Sequence, residues 1–274
     1  MRLRRKFYCM TTKVSHIVIN GCSFTYCQGI EEPSKNGWPA LLSKKLGIPV
    51  VNLAIGGSGN DSIHRRTYEY FYKNKKQYPN SKPLFITAFS GSTRREEFFK
   101  TYKGDRVDSF MTLDLEATSI DLVATLSEGV DSDRLVEYSH IMNMSFEACE
   151  RKKFLCWNSL VNLFKAHRVP YLTGDYFPTV DEHVINYMNE KFPEFQSNAL
   201  DDINYVGEIP DYTDHVEKLA CGHEPAEAMP IVADLFYNKL VENYDIEFEP
   251  AEYLTLKSFY HFNQSFRLPG DWVE

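Results

Sequence analysis

The run Gly21-Cys22-Ser23 follows directly on a β-branched stretch, Ile17-Val18-Ile19, and a histidine, His223, stands just ahead of a helical pattern near the other end. A serine hydroxyl is a weak nucleophile until a base takes its proton, and imidazole titrates in the range suited to that task. Gly21 permits a sharp turn. Ser23 can therefore be presented at the carboxyl end of a buried strand, where open α/β sheets build their sites. The plainer alternative is that Gly-x-Ser is a common tripeptide and Ser23 only caps the next helix. Acyl transfer also needs N–H donors aimed at a developing oxyanion. Gly57, Asn60 and the Ser23 N–H are candidates, the first two from the loop Gly56-Gly57-Ser58-Gly59-Asn60. That loop can instead be imagined around a phosphate, but it lacks the lysine of a P-loop and the Gly-x-Gly-x-x-Gly spacing.

These residues need strands to carry them. His16–Asn20 reads as a first buried strand, PVVNL (49–53) as a second, LFITAF (84–89) as a third and Val169–Leu172 as a fourth. A helix is expected from Trp38-Pro39 to the Gly47 cap, with Trp38, Leu41, Leu42 and Leu46 on one face. Asn60 or Asp61 can cap another that runs into the Lys73–Lys76 cluster. A long one is expected from about Leu135 to His167, one over Asp181–Lys191, and a last one behind Cys221-Gly222-His223-Glu224-Pro225, with Pro230 kinking its first turns. Strand, loop and helix in this rhythm imply right-handed βαβ units. The expected fold is a flavodoxin-like three-layer α/β/α sandwich with a parallel sheet in the order 2-1-3-4-5. The acidic stretch at about 101–134 breaks the rhythm and is expected to be an insertion after strand three, a lid or a solvated excursion. Phe192–Asp214 reads as loop-rich, the lead-in to Lys13 as a loose arm. The expected boundaries are 14–244 for the domain and 245–274 for an aromatic tail that packs on the domain or on a neighbour, a route to a homo-oligomer.

A chain of 274 residues with 43% hydrophobic and 25% charged residues can bury a large core. A formal charge of −8 argues against nucleic-acid binding, which wants a basic face. The 17 Tyr and 19 Phe suit sugar or partner contacts as well as a core. Six scattered cysteines form no CxxC pair, so no metal site or dithiol is indicated, and free thiols fit a reducing compartment. Residues 8–15 are too polar for a signal-peptide core, and no apolar run reaches the length of a membrane span.

In order and spacing, three blocks resemble the SGNH (GDSL-like) hydrolase superfamily. Gly21-Cys22-Ser23-Phe24-Thr25 looks like the Gly-Asp-Ser block with Cys for Asp; Asn52-Leu53-Ala54 with Gly56-Gly57 and Asn60 looks like the second; Gly222-His223-Glu224-Pro225 looks like the last. The resemblance implies an ester hydrolase that needs no cofactor, with Ser23 as nucleophile, His223 as base and Gly57 as an oxyanion donor. Its substrate would be a small acyl ester or an acylated glycan. Two departures stand out. The third block, Gly-x-Asn-Asp, is absent; the loop reads Ser90-Gly91-Ser92-Thr93-Arg94-Arg95-Glu96, similar to a variant associated with phage-encoded members. Asn60 can stand in for the missing Asn side chain. Ser90 and Arg94 are then candidates for binding substrate, Arg94 to Glu97 offering charge for an anionic or sugar group; an exposed helix start is the plainer account. The Asp three residues ahead of the His is also absent, since Ala220 stands there. Asp214, Asp211 or Asp175 can reach the imidazole from another loop, with Asp214 taken first, or a backbone carbonyl can orient it. His215 is a rival base. The alternative function is a degenerate SGNH-fold binding or structural module, with a nucleotide-binding flavodoxin-like protein behind it. The expected location is the cytoplasm, or a virion for a phage-encoded chain.

Overall fold

The computed structural model describes residues 11–92, 94–100, 108–114, 146–177, 186, 190–191, 202–220 and 222–249. In chain order come β1 (Thr12–Val14), β2 (His16–Asn20), two single-turn helices α1 (Ser23–Tyr26) and α2 (Pro33–Asn36), α3 (Trp38–Leu46), β3 (Val50–Asn52), α4 (Asn60–Gln77) and β4 (Pro83–Phe89). There follow a hairpin of β5 (Arg94–Lys100) and β6 (Asp108–Asp114), then α5 (Phe146–His167), β7 (Tyr171–Asp175), β8 (Tyr205–Glu208), α6 (Pro210–Thr213), α7 (Ala228–Asn243) and β9 (Ile246–Phe248). A five-stranded sheet runs β3-β2-β4-β7-β8 with every neighbouring pair parallel, which is the order 2-1-3-4-5 in chain sequence.

Both faces of this sheet are covered, which explains strands that are apolar throughout rather than alternating. Residues still sort by parity. Ile17, Ile19, Leu84, Ile86 and Leu172 join one core with α3 and α7, where Trp38 stacks on Phe236 at 4.8 Å. Val18, Phe85, Phe89 and Tyr171 join the other with α4 and α5, where Phe85 stacks on Phe164 at 4.9 Å and Phe89 on Trp157 at 4.6 Å. The molecule is a three-layer α/β/α sandwich.

Several expectations need correcting. Thr12 and Lys13 are not a loose arm: β1 pairs in parallel with β9, and the Thr12 N–H donates to Asp245 O at 2.6 Å. Arg94 begins a strand, not a helix, because the arms Arg94–Lys100 and Asp108–Asp114 satisfy each other's backbone groups as an antiparallel pair. The loop-rich span before Asp214 contains β8, which completes the sheet. Pro230 is the third residue of α7, where no intrahelical N–H bond is due, so it breaks none. The remainder of the insertion, the start of the long helix, most of Asp181–Lys191 and the tail beyond Glu249 lie outside the described residues. Among those described, no helix is long and apolar enough to cross a membrane.

β2 carries one titratable residue into the interior. His16 is buried between Ser15 Oγ (2.9 Å from Nδ1) and Tyr70 OH (2.9 Å from Nε2), and burial holds its pKa down at about 4. The unfolded chain binds that proton near pH 6.5, so stability is complete above that pH and falls as pH drops towards 4. Urea unfolding should show a loss of about 3 kcal/mol from this group across that window. His16→Gln should flatten that part of the curve; an unchanged slope would contradict the assignment.

Candidate active site

The turn after β2 is built by two residues. Asn20 Oδ1 accepts the Gly21 N–H at 2.9 Å, while its Nδ2 donates to Ile63 O and Thr67 Oγ1 at 2.8 Å each, tying the strand end to α4. Gly21 then passes so close to α1 that a Cβ there would lie 2.1 Å from Thr25 Oγ1 and 3.0 Å from Ala88 O. Cys22 is the N-cap in extended conformation, and Ser23 is the first helical residue, 3% exposed. No side chain caps this helix, so capping does not account for Ser23.

The loop after β3 is fastened beside it. Asn52 Oδ1 accepts the Ala54 N–H at 3.0 Å and its Nδ2 donates to Thr25 O at 3.2 Å. Gly57 adopts φ +76°, a left-handed conformation that glycine accepts without strain. Among the described residues, neither the Ser23 nor the Gly57 N–H donates to a protein acceptor. Asn60 behaves differently from expectation. Its Oδ1 accepts the Ser90 N–H at 2.8 Å and its Nδ2 faces Ser90 O at 2.9 Å and Gly91 O at 3.2 Å. That amide holds the loop after β4 in place and neither caps α4 nor stands ready as an oxyanion donor. Arg94 reaches back to the same loop, with Nη1 3.3 Å from the oxygen of the buried Ser90 and its guanidinium 5.3 Å from the centre of the Phe177 ring.

The far end of the chain arrives by way of a tight loop. The Leu219 N–H donates to His223 O at 2.9 Å and the Gly222 N–H to Leu219 O at 2.7 Å. The His223 ring packs on Phe24, the residue after Ser23, with centroids 4.9 Å apart. Phe24 also meets Tyr176 at 5.1 Å and Phe177 edge-on at 5.3 Å. Segments that follow three different strands thus meet in one wall of rings, with the imidazole half-buried among them.

The carboxylates are distributed otherwise than expected. Asp214 is 77% exposed and faces His215 at 3.7 Å, a solvent-screened pair. Its place on the surface does not suit it to orient a half-buried imidazole, and Asp211 is also exposed. Asp175 is buried, but its Oδ2 pairs with Lys153 at 2.6 Å and its Oδ1 accepts the Phe177 N–H at 3.0 Å. Burial pushes the Asp175 carboxyl up and the Lys153 ammonium pulls it back. Lys153 also donates to Phe177 O at 2.6 Å, so this ion pair fixes the segment bearing the aromatic wall. Sequence reasoning missed Lys153, although a charge on the stripe Lys153, Trp157, Leu160, Phe164 was a visible signal. It also missed Glu224, which is buried, accepts from Thr213 Oγ1 at 2.8 Å and pairs with Lys218. No group of three His, Cys, Asp or Glu among the described residues could hold a metal ion.

A family described as a family of unknown function (DUF6071) matches residues 28–209. The chain belongs to DUF6071. The span matched in this DUF6071 chain covers β3, β4, β7 and β8 of the sheet, and β2, Ser23 and His223 lie outside it. No curated protein matches the chain. Among solved structures it is similar to the psychrotrophic esterase EstA from Pseudoalteromonas sp., with 14% identity, a TM-score of 0.46, and 83% of this chain and 97% of that one covered. A putative lipolytic protein of the G-D-S-L family from Desulfitobacterium hafniense is similar at 13% identity and a TM-score of 0.45, with 84% and 100% covered. A family two carbohydrate esterase from Clostridium thermocellum is similar at 12% identity and a TM-score of 0.48, with 85% of this chain and 65% of that one covered.

The close approach at Gly21 yields a prediction. Gly21→Ala should force α1 away from the sheet and cost about 1–3 kcal/mol, as overpacking does. Urea unfolding measures it, and an unchanged midpoint would show that the turn has room.

Proposed function

We propose that this protein is a serine-dependent ester hydrolase of SGNH type that releases a small acyl group through an acyl-enzyme on Ser23. His223 takes the Ser23 proton as the hydroxyl oxygen attacks the ester carbonyl. The Ser23 and Gly57 N–H groups receive the oxyanion, the alcohol leaves with the proton from His223, and water repeats the sequence to free the acid. Arg94, steadied by the buried Ser90, forms with Phe24 and Phe177 the surface offered to the alcohol portion, for which an O-acetylated glycan is the finer proposal. The observation that carries this reading is the 4.9 Å contact between the His223 ring and Phe24, which sets an imidazole beside the serine turn from 200 positions away along the chain.

The alternative, a degenerate module that binds without turnover, is favoured by the engaged Asn60 amide and the exposed Asp214 carboxylate. One experiment separates the two. Wild type should hydrolyse a short-chain aryl ester and take a single fluorophosphonate adduct on Ser23. Ser23→Ala should lose the adduct and about 10⁴- to 10⁶-fold in rate. Full activity in that variant would overturn the mechanism, and wild type without either property would select the binding module.

A further inference from the structure

The chain enters the central sheet past a cavity of about 480 Å³ that the proposed reaction does not use. Leu46 and Ile48 line it from the end of α3 and the loop into β3, Tyr237 and Val241 from α7, and Ile246 and Phe248 from β9. β9 lies beside β1, which leads into β2, so the cavity sits at the amino ends of the strands. Ser23 stands past the opposite, carboxyl end of β2. One wall is braced by Lys45, whose ammonium pairs with Asp234 and lies 4.6 Å from the centre of the Tyr237 ring. Val241 and Phe248 are nevertheless 53% and 39% exposed. Large apolar side chains left in water beside a cavity forgo the gain that burial brings, and contiguous patches of them mark docking sites.

We propose that this cavity receives the chain's own C-terminal segment, 250–274, with Tyr253, Leu254 and Leu256 as the side chains that fill it. The segment starts at the cavity wall. Phe248 lines the cavity, and the next residue is fixed: the Glu249 N–H donates to Val14 O at 2.9 Å, and its carboxylate meets Lys82 at 2.6 Å and Lys13 at 3.8 Å. An extended chain advances about 3.3–3.6 Å per residue, so residues 250–256 are long enough to turn and lie back across a cavity that Phe248 itself borders.

Composition and charge agree with that occupant. Tyr253, Leu254, Leu256, Phe259, Tyr260 and Phe262 follow one another closely, a density of large apolar side chains that a solvated tail does not have. Glu242 and Asp245 put carboxylates on the rim, and Lys257 is the first cation of the segment. A second copy carries the same segment. A tether of a few residues, however, gives the segment of its own protomer an effective concentration in the millimolar range, which a copy free in solution does not match.

Limited proteolysis of the full chain tests the contact. Chymotrypsin cuts after aromatic residues, and mass spectrometry identifies cuts after Tyr253, Phe259, Tyr260 and Phe262. With the segment seated, these bonds are cut when it lifts off, so the rate follows that equilibrium. Val241→Asp sets a carboxylate in the open wall and should speed these cuts roughly ten- to a hundredfold, the loss of one buried aliphatic contact. Leu155→Asp puts the same charge on a similarly exposed apolar residue of α5 and should leave the wild-type rate. Should Val241→Asp fail to fold, Leu254→Ser with Leu256→Ser loosens the segment from its own side and is read in the same way. Equal rates in wild type and the cavity variant would overturn the proposal. So would protection that grows with protein concentration, with a dimer in light scattering that Val241→Asp dissociates, because the segment would then sit on a second copy. Ester hydrolysis plays no part in this readout, so the contact stands or falls apart from the esterase reading.

Discussion

The site depends on the close approach of α1 to the sheet at Gly21. With no room for a Cβ between Thr25 and the Ala88 carbonyl, the chain leaves β2 through a turn that only glycine can make at that spacing. Asn20 holds the turn from behind through three hydrogen bonds, two of them to α4. The direction of Ser23 therefore follows from the packing of the second layer as much as from the strand that precedes it. A shift of α4 would pull Asn20, and with it the serine, out of register with the loop carrying Gly57.

Around that turn the structure uses rings where a site could have used hydrogen bonds. Phe24 touches His223, Tyr176 and Phe177, so loops from three separate strand ends share one side chain. Aromatic pairs contribute roughly 0.5–1.5 kcal/mol each beyond their buried area, comparable to a net hydrogen bond, and they tolerate small displacements.

The sheet was legible because its signals are local. Strands buried on both faces read as continuous apolar runs, and Gly47, Pro39 and the basic end of α4 punctuate helices by rules that need no partner. β8 was not legible: Tyr205-Val206-Gly207-Glu208 is short, contains a glycine at φ +106°, and is a strand because β7 lies beside it. The same holds for β1 and β9, three residues each, which exist only as a pair drawn from opposite ends of the chain. At the site, residue types with a chemical job were visible, but their partners were not. Asn60 looked like a donor because amides donate; that its amide is committed to Ser90 and Gly91 is a fact of tertiary distance. Asp214 looked like an acid for want of a better one, and nothing local marks which carboxylate will be buried.

Those buried carboxylates carry the last step of the argument. Asp175 and Glu224 each lie within the protein, and each is met by a lysine and by a neutral donor, Phe177 N–H in one case and Thr213 Oγ1 in the other. Replacing such pairs by apolar residues is often neutral or stabilising, so stability alone does not account for them. Both pairs instead flank segments that deliver a ring to Phe24: Lys153 and Asp175 grip Phe177, while Glu224 and Lys218 bracket His223. A buried ion pair fixes the chain at a defined distance and direction, which an apolar contact of similar volume does less sharply. The two are not equivalent, however. The Lys153 ammonium is wholly buried and its partner nearly so, which makes that pair a rigid, electrically silent anchor. Lys218 is partly open to solvent, so its attraction to Glu224 is screened more than that of the buried pair. The tighter anchor therefore holds the segment bearing Phe177, and the more solvent-screened pair the loop bearing His223.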